Sequence, residues 1–172
     1  YKFGANILEI FSPKNLLWHL LFIILTYVAV VSDFDWNYYV YFNDSSFQAF
    51  LFSGVIIGGL VPIFLPIVLF IVGWLRKNAT LSTVGAAVAQ AGILGWLISS
   101  TYKAFTGRVE PPLRLDSLVD LSRSFQFGFW EHGIFWGWPS SHTTVAFAVA
   151  TTLFILYPKN LVIRILSVLF AF

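Results

Sequence analysis

Residues 50–75 read FLFSGVIIGGLVPIFLPIVLFIVGWL, twenty-six positions without a charge, and Arg76-Lys77 follow at once. About 20 apolar residues cross the ~30 Å hydrocarbon core of a bilayer. Phe50–Leu75 is therefore expected to be a transmembrane helix, with Pro62 and Pro66 as kink points. Working outward, Asn15–Ser32 is uncharged and rich in Leu, Ile and Val. Ala79–Tyr102 is a third candidate, rich in small residues (Gly85, Ala86, Ala87, Ala89, Ala91, Gly92, Gly95). Such residues let helices approach closely in lipid, which places this span inside the bundle. His142–Tyr157 is a fourth candidate, and Leu161–Phe172 begins a fifth. The expected fold class is all-α: a polytopic transmembrane helix bundle with five spans visible, the last incomplete.

Composition agrees. Of 172 residues, 58% are hydrophobic and only 10% are charged, with a mean hydropathy of +0.81. A soluble domain carries about 25% charged residues, so these are too few to solvate a globular surface. A soluble enzyme, a disordered tail and a nucleic-acid-binding module are all disfavoured. The absence of cysteine excludes a disulfide scaffold, a thiol nucleophile and a zinc-thiolate site. The absence of methionine, and a last apolar segment of twelve residues carrying Arg164, lead to the expectation that the chain is part of a longer one.

Charge placement gives an orientation. Lys2 and Lys14 precede the first span, Arg76 and Lys77 follow the second, and Lys159 follows the fourth. The loop after the first span has Asp33, Asp35 and Asp44 but no Lys or Arg. Because basic residues stay on the cytoplasmic side, the N-terminus is expected inside and the 103–138 segment outside. Asn15–Ser32 has no small-residue cleavage pattern, so a signal peptide is not required.

Eight charged residues crowd between Lys103 and Glu131: Lys103, Arg108, Glu110, Arg114, Asp116, Asp120, Arg123 and Glu131. In so apolar a chain, this is the region built to handle something polar. Phe125, Phe127, Phe129, Trp130, Phe135, Trp136 and Trp138 suit the headgroup level. Leu115, Leu118, Val119 and Ser122 share a helical face, which fits a short interfacial helix. An ordinary solvated loop with aromatic anchors would explain this stretch equally well.

Two sub-segments say more. In Lys103–Pro112, Gly107 permits a tight turn, and Lys103 and Arg108 offer a point cation and a bidentate fork for phosphate oxygens. Taken singly, Lys103 reads as a snorkelling lysine at the end of a span. In Trp136-Gly-Trp-Pro-Ser-Ser-His142, Ser140 is a preferred helix N-cap. The helix it opens presents free N–H groups and the positive end of its dipole, an anion site, and His142 stands in the first turn.

These two segments, on consecutive spans, resemble the type-2 phosphatidic acid phosphatase superfamily, related to acid phosphatases and vanadium haloperoxidases. Its signature has three parts: Lys, six residues, Arg-Pro; then Pro-Ser-Gly-His; then Ser-Arg, five residues, His, three residues, Asp. The match covers about residues 79–172. Here Glu110 stands at the arginine position before Pro111, with Arg108 two residues earlier as the guanidinium that could replace it. Ser141 stands in place of the glycine, and the third part would lie beyond Phe172. His19 lies in the first span and His132 in the aromatic loop, and neither fills that gap.

The resemblance implies one membrane-embedded phosphatase domain over 1–172 lacking its C-terminal part, five of an expected six spans, and an outward active-site segment at 103–142. It implies hydrolysis of a lipid phosphate monoester or diphosphate through a phosphohistidine, with no metal and no cofactor. His142 would be the general acid. Lys103, Arg108, Ser140 and Ser141 would bind the phosphate oxygens, while the nucleophile belongs to the third motif. The expected partners are a lipid phosphate and membrane lipids, not nucleic acid, in a bacterial plasma membrane. Helix length favours a lipid: 16 residues from His142 to Tyr157 span about 24 Å, which sinks His142 slightly below the interface. Phosphatidate, phosphatidylglycerophosphate and polyprenyl diphosphates all satisfy this.

Two other readings stand beside it. Glu110 and the missing third motif fit a catalytically inactive lipid-binding or scaffold relative. Asp33-Phe34-Asp35 could hold a divalent metal, as in a membrane glycosyltransferase using polyprenyl-linked donors.

Overall fold

The computed structural model describes residues 3–43, 48–111, 120–131 and 137–171, with backbone alone at 48–51 and 121. Among these residues every regular element is helical and there is no strand. Helix α1 spans Phe3–Ile10, α2 Pro13–Val31, α3 Phe34–Asn43, α4 Gln48–Leu75, α5 Ala79–Thr106, α6 Ser141–Leu156 and α7 Leu161–Ala171. Three stretches are long and apolar enough to cross a membrane: Pro13–Val31, Phe52–Leu75 and Ala79–Thr106. This is compatible with an integral membrane protein. The fourth and fifth expected spans form apolar helices of 16 and 11 residues. At about 24 Å and 17 Å they fall short of the ~30 Å core on their own.

Helices α4 and α5 form a hairpin. Helix α4 continues through both prolines. Each proline lacks an N–H, so the carbonyls four residues back, at Gly58 and Pro62, lose their usual helical donor. Lys77 closes the turn in the left-handed region, φ 50°. The Asn78 side chain then caps α5 by accepting the Leu81 N–H at 3.0 Å. Glycine sets the contact itself. A Cβ added to Gly85 would lie 2.7 Å from the Phe70 backbone nitrogen and 2.9 Å from the Pro66 carbonyl oxygen.

The other side of α5 packs on α6, which in turn packs on α7. Val84, Val88 and Val149 form the buried core, with Leu65, Leu69, Leu153, Tyr157 and Phe170 around it. Of the small residues of α5, Gly85, Gly92 and Gly95 are buried as the sequence predicts, whereas Ala86, Ala87, Ala89 and Ala91 are only partly covered. The outer faces carry uncovered apolar side chains such as Phe22, Phe64 and Leu169.

Helix α2 departs from the expected arrangement. Its N-terminal half bonds the far end of α5, where His19 Nδ1 lies 2.6 Å from the Tyr102 hydroxyl. Its C-terminal end is tied to the loop beyond α5, where Arg123 donates to Asp33 at 2.9 Å and to the Val31 carbonyl at 3.1 Å. The sequence reading set Lys14 and the 103–138 segment on opposite sides. In the structure, His19 and Asp33, at opposite ends of α2, both bind the same end of the bundle. Polar side chains at the two ends of α2 fix its position more strongly than its uniformly apolar surface does.

Backbone contact at Gly85 leaves no room for a side chain, whereas a Cβ at Gly92 would meet only Val149 and Val145 at 3.7 and 3.8 Å. Gly85→Ala is expected to cost about 1–3 kcal/mol, as overpacking does, and to lower the thermal midpoint in detergent. Gly92→Ala is expected to change it little, and equal midpoints for the two variants would refute this account of the hairpin.

Candidate functional site

The two segments singled out in the sequence adjoin in space. Helix α5 ends at Gly107, which sits at φ 46°, ψ 40° and donates its N–H to the Lys103 carbonyl at 3.4 Å. That left-handed conformation suits glycine, which has no Cβ to clash. The chain then runs past the second segment, where Gly137 N–H donates to the Arg108 carbonyl at 3.0 Å. Thr106 Oγ1, which donates to the Tyr102 carbonyl at 2.9 Å, lies 3.4 Å from the Trp138 carbonyl, and the Trp138 ring meets Tyr102 edge-on. A Cβ on Gly137 would lie 3.0 Å from Glu110 Cγ. Three further carbonyls at the end of α5 are satisfied by the loop, since Trp130, Gly128 and Gln126 donate to Ala104, Phe105 and Thr106.

Ser140 caps α6 as its type predicts. Its backbone is extended, and its side chain accepts the Thr143 N–H at 3.3 Å. Ser141 faces α5, with its Oγ 3.2 Å from Ser99 Oγ. Lys103 is one turn beyond Ser99 on the same face of α5. It is 8% exposed and makes no hydrogen bond or salt bridge with any described residue. The Glu110 carboxylate acts on it electrostatically from the following loop. The Lys103 ammonium, a serine N-cap and the positive end of α6 thus occupy one corner, which suits an anion. Ser99 lies seven residues before the end of α5, so α6 starts about 10 Å below that end.

His142 turns the other way, toward α4. Its ring covers Gly59, where an added Cβ would come within 2.9 Å of Cδ2 and 3.1 Å of Nε2. With Ser141 it lines one end of an apolar cavity of about 750 Å³ between α4, α5 and α6. The α5 wall is made of Gly85, Ala86, Ala89 and Gly92, and Ile63, Ile67 and Ile93 flank it. From Gly85 to Trp96 the cavity follows α5 for about 16 Å.

Arg108 lies beside this corner but is engaged elsewhere. Its Nε donates to the Ser122 carbonyl at 2.7 Å, its Nη2 ion-pairs with Asp35 of α3, and the guanidinium lies over the Phe125 ring. Ser122 in turn donates to Asp120. Asp33 and Asp35, read from the sequence as a metal-holding pair, each carry an arginine: Arg123 and Arg108. His19 is also occupied. Its Nε2 faces the Ile10 carbonyl at 3.2 Å, an acceptor only, so Nε2 bears the proton and Nδ1 accepts from the Tyr102 hydroxyl. Arg114, Asp116 and His132 lie outside the described residues, as does most of the expected interfacial helix, of which Leu121–Arg123 forms a single 3-10 turn.

The sequence reading missed Ser99 and Gly59, and it read Asp35 as a metal ligand rather than as the partner of Arg108. Ser99 had a usable signal, since it shares a helical face with Lys103. Gly59 and Asp35 had none, because their partners lie 83 and 73 residues away in the chain. Gly59→Ala is expected to displace the His142 imidazole and shift its NMR resonances while those of His19 stay fixed. Unmoved His142 signals would contradict the contact. No protein-family model, no curated protein and no solved structure matches this chain.

Proposed function

We propose that the protein is an integral-membrane lipid phosphatase, acting on a phosphate monoester or diphosphate. The observation that carries this reading is the apolar cavity that ends at His142 and Ser141, next to the buried Lys103. A hydrocarbon chain lying along α5 would bring its phosphate to the start of α6. Lys103, the Ser140 hydroxyl and the free N–H groups of the first turn would neutralise the equatorial oxygens, which is the main task in phosphoryl transfer. His142, lining the cavity mouth, would protonate the departing oxygen. By the family resemblance, the phosphoryl acceptor is a histidine of the third motif. The resemblance also implies five of six spans, an outward-facing site and a bacterial plasma membrane.

A specific observation favours a second reading, a lipid-binding relative without turnover. Glu110 replaces the expected arginine, and the nearest guanidinium, that of Arg108, is held by Asp35 and Ser122. Activity separates the two.

In a protein that carries the third motif, assayed in detergent with phosphatidate, turnover is expected to survive chelator and to fall by a factor of about 10² or more in His142→Ala, as loss of a general acid does. A wild-type rate in that variant would refute the role of His142. Ala89→Phe, which fills the cavity wall, is expected to raise KM for long-chain phosphatidate and to spare a short water-soluble phosphate ester. Equal effects on both substrates would argue against a chain in the cavity.

A further inference from the structure

The Arg108 side chain and backbone point to a role that its residue type does not suggest. On the side-chain side, three elements hold the guanidinium: α3 through Asp35, the 3-10 turn through the Ser122 carbonyl, and the Phe125 ring at 5.4 Å. The Arg108 side chain is 11% exposed, so this is a largely desolvated pair in which each partner depends on the other. On the backbone side, the Arg108 carbonyl accepts the N–H of Gly137, three residues before Ser140. Between them stands only Gly107, whose left-handed conformation ends α5 and leaves residue 108 without helical support.

We propose that Asp35 is a positioning residue that acts through Arg108. It anchors the guanidinium, the anchored side chain fixes the 108 backbone, and that backbone holds Gly137 so that Ser140, Ser141 and His142 enter α6 at the depth of Ser99. Arg108 is then a clasp rather than a phosphate ligand. Asp35 belongs to α3, none of whose described residues lines the cavity. The Arg123–Asp33 pair beside it fastens the same two segments at a more exposed position, where an ion pair contributes less. As a consequence for catalysis the proposal rests on the phosphatase reading; as a statement about the loop it does not.

The test uses the full chain in detergent, comparing Asp35→Asn, Arg108→Gln and the double variant. Amide exchange at Gly137 and 140–144 is expected to quicken about tenfold in each single variant, the signature of a loosened local segment. The double variant is expected to exchange no faster than either single one, because both remove the same link. Asp35→Glu, which retains the carboxylate, is expected to recover most of the protection and guards against a general folding defect. With phosphatidate as substrate, kcat is expected to fall in parallel in both single variants, with KM nearly unchanged. Unchanged exchange at 137–144 in Asp35→Asn would overturn the clasp. So would a rise in KM confined to Arg108→Gln, which would make Arg108 a phosphate ligand. If a wild type that carries the third motif turns over no lipid phosphate, the phosphatase reading fails while the exchange result still decides the clasp.

Discussion

The close approach of α5 to its two neighbours governs the rest of the structure. Glycines on α5 let the α4 backbone on one side and α6 on the other approach to where a Cβ would otherwise stand, 2.7 Å from Phe70 N at Gly85. A Cβ on Gly95 would lie 3.1 Å from Ala148 Cβ and 3.2 Å from the Thr144 carbonyl. The register of α6 against α5 is set by this surface fit, by Val149 packing with Val84 and Val88, and by the Ser99–Ser141 hydrogen bond. That register decides how deep α6 begins, and so where its positive end and His142 stand. The same small side chains leave the space between α4, α5 and α6 that forms the cavity.

Polar groups in this chain fall into two kinds. Most are spent on holding segments together: Asp35 with Arg108, Asp33 with Arg123, His19 with Tyr102, Asn78 on the start of α5. Lys103 differs, being buried and without a bonded partner among the described residues. Its ammonium feels the Glu110 carboxylate but holds no hydrogen bond among the described residues, so a bound anion at the start of α6 would give it a direct partner. This contrast between a hydrogen-bonded, ion-paired guanidinium and an ammonium that only feels Glu110 across space is the chemical reason for centring the candidate site on Lys103 rather than on Arg108.

Much of the site was legible in the sequence. Ser140 is a preferred N-cap by residue type, and it caps α6. Gly107 follows a helical segment and precedes a proline pair, and it closes α5 in the left-handed region. The 103–110 and 137–142 segments were expected together and are together. Arg108 and the Asp33–Asp35 pair were less legible. An arginine near a phosphate motif suggests phosphate, and two aspartates suggest a metal, because residue type alone does not reveal that each is the other's partner. The placement of α2 was likewise hidden, since a uniformly apolar helix carries no pattern to say which neighbour it meets.

The sequence by itself determined that the chain is helical and apolar enough for a membrane, which of the longer apolar segments are helices, and where two of them start and stop, but it read 33–44 as a loop where α3 forms. Those properties depend on composition and on neighbours within a turn or two. Tertiary structure decided which way His142 faces, that a cavity leads to it, and that Arg108 is bound to Asp35. These outcomes depend on residues tens of positions apart, brought together by backbone approach at glycines, and no local pattern encodes that contact.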